Sequence, residues 1–183
     1  MASFSSPKIS VILLQENHND FSCFSETLKS LSLQNSDEVE FLYANVSEKE
    51  KASQVFVLYG KKDIRFRFLL CKENSLWASV CHALENARGE YLLFTFAGIT
   101  YQENAFLPLL SLVKENQNDV IHFPLETRYA KETASHPFHP KENAFPVTTR
   151  PIKNSPLCID WLTCQHCPPA MFDKVIRTCI VQK

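Results

Sequence analysis

The sequence has 183 residues, of which 45% are hydrophobic and 21% charged, the composition of an ordinary globular domain with a sizeable core. A net charge of −1 and a pI of about 6.6 give no basic surface of the kind that binds nucleic acid or an acidic membrane. No apolar run approaches the ~20 residues of a membrane-spanning helix, and the amino-terminal run is shorter than the apolar core of about 7–15 residues in a signal peptide.

Strands and helices alternate in the first part of the sequence. Continuous apolar runs rich in β-branched residues predict buried strands, and apolar residues at helical spacing predict amphipathic helices. We expect Gly60 to end the second helix, because glycine is a common helix stop signal. The predicted elements are, in order, strand 8–14, helix 21–33, strand 39–44, helix 47–60 and strand 65–70.

The alternation continues to about residue 126. A helix is predicted from Ser75 to a stop at Gly89, followed by the strand 91–96, a helix over 103–118 with Pro108 in its first turn, and a strand that Pro124 ends. This order predicts an α/β fold with a mainly parallel central sheet and helices on both faces. We expect a Rossmann-like core at 1–126, and a proline-rich loop with a carboxyl-terminal packing segment of the same domain at 127–183.

The stretch "ARGEYLLFTFAGITY" (87–101) ends the predicted fourth strand without a reactive group. In open α/β sheets, ligands bind beyond the carboxyl ends of the strands. The residues at that place are Phe96, Ala97 and Gly98, and the first charge after them is that of Glu103. A strand in the position of a ligand-binding strand therefore presents no side chain suited to bind a cation.

Four segments in the same order resemble the family 2 glycosyltransferases of GT-A fold, from Pro7 to about Val181. They are "PKISVILLQENHNDFSCFSETLKSLSLQ", with Pro7, Asn17 and Gln34 at pattern positions; "VEFLYANVS"; "ENSLWASVCHALENARGEYLLFTFAG", in which "ARGEYLLF" is the most specific piece; and "AMFDKVIRTCIV", with Lys174 and Arg177 on the family's acceptor-side Lys and Arg. The resemblance implies the three-layer GT-A fold of nucleotide-diphospho-sugar transferases. It also implies transfer of a sugar from a nucleotide donor.

The donor motifs of that family are degenerate in this sequence. The resemblance places Phe96-Ala97-Gly98 on the Asp-x-Asp that holds a divalent metal, and none of the three can supply a carboxylate ligand. Asn45 stands where an acidic residue reads the base or ribose. The phosphate-side glycines and arginine are replaced, and the sequence ends at Lys183 without the family's acidic catalytic pair. We therefore expect no catalytic residue, in a non-catalytic domain or a part of a longer transferase. We also expect no cofactor, with a divalent metal only if the protein is an active transferase.

Substitute groups exist but are weak candidates. Glu16 and Glu103 could line the same edge of the sheet, although loop carboxylates are usually solvated or cap helices. His122, in the fifth strand, is more typical of a packed histidine than of a base.

A second candidate site lies near the carboxyl terminus, where Cys158, Cys164, His166 and Cys167 offer zinc-type ligands in an unusual spacing. His136 or His139 could add a ligand. The alternative is a set of buried, reduced thiols, because the chain has seven cysteines, an odd number, mostly in apolar segments. Reduced thiols indicate a cytoplasmic protein.

Two functions from different classes remain open. The first is a pseudoenzyme that serves as a binding or assembly module for a protein partner or a glycan, through the degenerate cleft or the proline-rich loop. The second is an active transferase with metal-independent donor binding. The donor would then lie near Asn17, Asn45, Lys72 and Glu103, with Lys174 or Arg177 on the acceptor side offsetting the charge of the leaving group. A third reading is a zinc-stabilised structural domain.

Overall fold

The computed structural model describes residues 6–15, 21–45, 50–73, 75–115, 119–122 and 174–181, and the structural statements below concern these residues. None of their helices is long and apolar enough to cross a membrane. The strands are β1 (Ile9–Leu14), β2 (Val39–Asn45), β3 (Phe66–Leu70), β4 (Tyr91–Phe96), β5 (Val120–His122) and β6 (Lys174–Arg177), and the helices are α1 (Phe21–Ser32), α2 (Lys51–Lys62), α3 (Leu76–Asn86), α4 (Phe106–Glu115) and the single turn α5 (Thr178–Val181).

The six strands form one sheet in the order β3-β2-β1-β4-β6-β5. Strand β1 pairs in parallel with β2 and β4, and β2 pairs in parallel with β3. Strand β6 is antiparallel to both of its neighbours, β4 and β5, so the other five strands run in one direction. The predicted α/β fold with a mainly parallel sheet is confirmed. The domain boundary expected near residue 126 lies outside the described residues.

Side chains alternate between the two faces of the sheet, as the two-residue period of a strand requires. On β1, Ile9, Val11 and Leu13 pack in a core with α1, α2 and α4. Ile12 and Leu14 face the opposite side, where they pack with α3. Both faces of the central strand are buried, and this explains its continuous apolar sequence.

Two glycines that were expected to end helices have another role. Helix α2 continues past Gly60 to Lys62, and α3 ends at Asn86, before Gly89. The predictions of helix ends at Gly60 and Gly89 are therefore wrong. A Cβ atom on Gly60 would lie 2.7 Å from the carbonyl oxygen of Phe66, so this position excludes a side chain because β3 approaches it closely. The predicted start of α3 is correct, since the Ser75 hydroxyl accepts a hydrogen bond from the Ala78 N–H at 3.0 Å.

The segment "ARGEYLLF" is anchored to β1 and β2 by a buried polar cluster at the amino ends of the strands. The Gly89 N–H donates to the Ser10 hydroxyl at 2.8 Å, and that hydroxyl donates to Glu40 at 2.6 Å. The Glu40 carboxylate also accepts from the Arg88 N–H at 2.7 Å and from the Arg67 guanidinium at 2.5 Å. The most family-like stretch of the sequence therefore joins three elements of the fold at the end of the sheet opposite the ligand-binding end.

Gln34 is a second family-like residue with a structural role. Its side chain is buried beyond the end of α1, where its amide donates to the carbonyl oxygens of Ser30 at 2.9 Å and Gln102 at 2.8 Å. Its amide oxygen accepts from the Phe106 N–H at 3.2 Å. Gln34 thus joins α1 to the loop between β4 and α4 and to the start of α4.

Candidate functional site

The carboxyl ends of the parallel strands meet at one edge of the sheet, which we call the carboxyl edge and define by Gln15, Asn45, Cys71 and Ala97. The pairing of Leu14 with Phe96 brings β1 and β4 to this edge in register. Hydrogen bonds continue past the strands, from the Cys71 N–H to the Asn45 carbonyl at 2.8 Å and from the Ala97 N–H to the Leu14 carbonyl at 3.0 Å. In an open α/β sheet this edge is the expected place for a ligand.

The end of β4 is occupied by packed or backbone groups. Phe96 packs against the core on the α3 side, and Ala97 packs against the core on the opposite side. Gly98 has φ 104°, a conformation that L-residues rarely adopt, and its N–H donates to the Thr27 hydroxyl of α1 at 2.9 Å. This turn is fixed to α1, and it offers a cation no carboxylate, imidazole or thiolate.

A chain of hydrogen-bonded polar side chains lies next to this turn. The Tyr43 hydroxyl donates to the Gln15 amide oxygen at 2.6 Å and accepts from the Asn45 amide nitrogen at 2.9 Å. The same nitrogen donates to the Glu50 carboxylate at 2.8 Å. Burial raises the pKa of Tyr43 and keeps its hydroxyl protonated as a donor.

Glu50 was not singled out from the sequence. Its carboxylate accepts a hydrogen bond from Asn45, so a negative charge lies beside a residue that carries none itself. It directly precedes α2, five residues after Asn45, and the residues between them lie outside the description. The sequence signal that could have identified Glu50 was its position at the start of a helix that follows a strand. That signal is also produced by ordinary helix-start acids, so it did not distinguish Glu50.

Lys72 and Glu103, both expected near the donor, lie in different places. Lys72 is exposed and follows Cys71 at the carboxyl edge, beside Asn45. Glu103 follows Gln102, whose carbonyl accepts a hydrogen bond from the side-chain amide of Gln34. The backbone carbonyl of Gln34 accepts a hydrogen bond from the guanidinium of Arg65, which lies just before β3. Arg65 precedes a strand, so Glu103 lies toward the amino ends of the strands. Lys72 therefore lies in the chain next to the residue that bonds Asn45, and Glu103 lies apart from both.

The two expected acceptor-side residues lie in β6. Lys174 is buried and pairs with His122 of β5. Arg177 pairs with Tyr91, the first residue of β4, which is its end remote from the carboxyl edge. Its guanidinium binds the Asp119 carboxylate at 3.1 Å and the Tyr91 hydroxyl at 2.9 Å. These contacts join β4, β6 and the start of β5.

Several expected residues lie outside the described part of the chain. They are Glu16, Asn17, His136, His139 and the zinc candidates Cys158, Cys164, His166 and Cys167, and the side chain of His122 is likewise not described. Within the described ranges, no group of three or more His, Cys, Asp or Glu side chains is placed to hold a metal ion. A groove of about 380 Å³ lies at the amino end of β4 and is lined in part by Arg88, Glu90 and Cys179.

Comparison with known proteins identifies a family and a fold. The family model for glycosyl transferase family 2 matches residues 15–176, which is most of the chain. A search of curated proteins finds no match.

Solved glycosyltransferase structures share the fold. The crystal structure of S. aureus TarS 1-349 has a TM-score of 0.65 at 20% identity, covering 96% of this chain and 48% of that one. The same fragment in complex with UDP gives the same values. The mannosyltransferase PcManGT from Pyrobaculum calidifontis, in complex with GDP-Man and Mn²⁺, has a TM-score of 0.52 at 14% identity, over 67% of this chain and 36% of that one. This chain thus spans about half the length of the TarS fragment.

Proposed function

The chain belongs to glycosyl transferase family 2, and on that premise we propose that it is a GT-A domain that does not transfer a sugar itself. It serves as a binding or assembly module for a protein partner or a glycan. The observation that carries this proposal is the end of β4, where Phe96 and Ala97 pack in the two cores and Gly98 is bonded to Thr27. A diphosphate leaving group needs a cation, and hard divalent cations need oxygen ligands.

The distribution of family-like residues supports the same proposal. Gln34, Gly89 and their partners form buried contacts that hold helices and strands together. The departures from the family pattern fall at the carboxyl edge, at Asn45 and at Phe96-Ala97-Gly98. A domain can keep its fold-defining contacts while its site differs, because function resides in the site and not in the fold.

One observation favours a second candidate, a transferase with metal-independent donor binding. Asn45 and Glu50 place an amide and a carboxylate at the end of β2, and Lys72 follows Cys71 just beyond the end of β3. Such groups can hydrogen-bond a nucleobase or ribose and offset a phosphate charge. The amide nitrogen of Asn45, however, already donates to Tyr43 and Glu50, so a nucleobase acceptor would have to displace one of these contacts.

The test is a calorimetric titration of the chain with UDP, GDP and their sugars, with and without Mn²⁺. We expect no binding that Mn²⁺ strengthens. The mannosyltransferase PcManGT, whose structure is in complex with GDP-Man and Mn²⁺, serves as the positive control. Binding that Mn²⁺ tightens by about tenfold or more, a free-energy change of about 1.4 kcal/mol, would overturn the proposal.

A matched variant separates the two candidates. Glu50→Gln keeps the shape of the side chain and removes its charge. Metal-independent nucleotide binding that this variant weakens would support the transferase candidate at the site formed by Asn45 and Glu50. Absence of binding in both forms supports the binding module, whose partner would then be sought by cross-linking.

A further inference from the structure

We draw no further inference here: the strongest candidate, the apolar patch that Leu70, Leu76 and Trp77 expose at the end of β3 and the start of α3, carries none because nothing in the described part of the structure shows what covers it.

Discussion

Replacement of Gly89 by alanine tests the contact between β1 and the segment before β4. A Cβ atom at this position would lie 2.5 Å from the Ser10 nitrogen, 2.7 Å from the Ser10 hydroxyl oxygen and 2.8 Å from the Ile9 carbonyl carbon, whereas ordinary contacts are 3.4–4 Å. The segment must therefore move away from β1. That movement lengthens the hydrogen bonds from the Gly89 N–H to Ser10, at 2.8 Å, and from the Thr178 hydroxyl to the Gly89 carbonyl, at 2.6 Å.

The expected cost follows from these contacts. Overpacking of a well-filled site costs about 1–3 kcal/mol, and each weakened hydrogen bond adds about 1 kcal/mol. Alanine also restricts the unfolded chain, which offsets about 0.4–1 kcal/mol. We therefore expect Gly89→Ala to lower the free energy of unfolding by about 2–4 kcal/mol, measured by urea denaturation with circular dichroism. This is a large part of a typical domain stability of about 5–15 kcal/mol.

Gly98→Ala is the matched control. A Cβ atom on Gly98 has room, since its nearest neighbour would be the Cys23 Cβ at 3.9 Å, but φ 104° strains any L-residue. We expect a loss of about 1–2 kcal/mol from that strain alone. If Gly89→Ala cost less than Gly98→Ala, close approach to β1 would not be the reason for glycine at position 89.

Two further predictions concern buried polar groups. Burial raises the pKa of Tyr101 to about 12, whereas an unfolded tyrosine releases its proton near pH 10. Between these pH values ionisation therefore favours the unfolded state, and the free energy of unfolding falls by about 2–3 kcal/mol. Tyr101→Phe should remove this part of the alkaline loss in urea denaturation at stepped pH, and an unchanged pH dependence would contradict the assignment. Glu40→Gln should lower the free energy of unfolding by about 2–4 kcal/mol, because Arg67 loses the buried carboxylate that balances its charge. The partial exposure of Arg67 limits this cost. Adding Arg67→Met should recover part of that loss, and a purely additive double variant would argue against a coupled pair.

Local patterns in the sequence were sufficient to predict the main elements. The apolar run of β1 is buried on both faces, and Ser75 caps α3 as its position indicates. The order of strands and helices then limited the fold to a mainly parallel sheet with helices on both faces. The lack of carboxylates at Phe96-Ala97-Gly98 is likewise a property of the sequence alone, because a side chain that cannot bind a cation cannot do so in any fold.

The helix ends and the strand β6 could not be predicted in this way. Gly60 and Gly89 look like stop signals, yet each is required where another strand approaches its backbone. β6 is four residues long and pairs with strands that precede it by more than fifty positions. Contacts over such separations leave no periodicity in the local sequence, and short strands are therefore difficult to assign.

The sequence by itself determined the fold class, the family resemblance and the lack of metal-binding side chains at the end of β4, because each depends on residue types in short stretches. Only the tertiary structure placed Glu50 against Asn45, moved Glu103 away from the carboxyl edge and directed Arg67 inward to Glu40. The reason is that these arrangements depend on strand order, register and the course of loops. They join residues that no local pattern connects, and they decide which polar groups a ligand can reach.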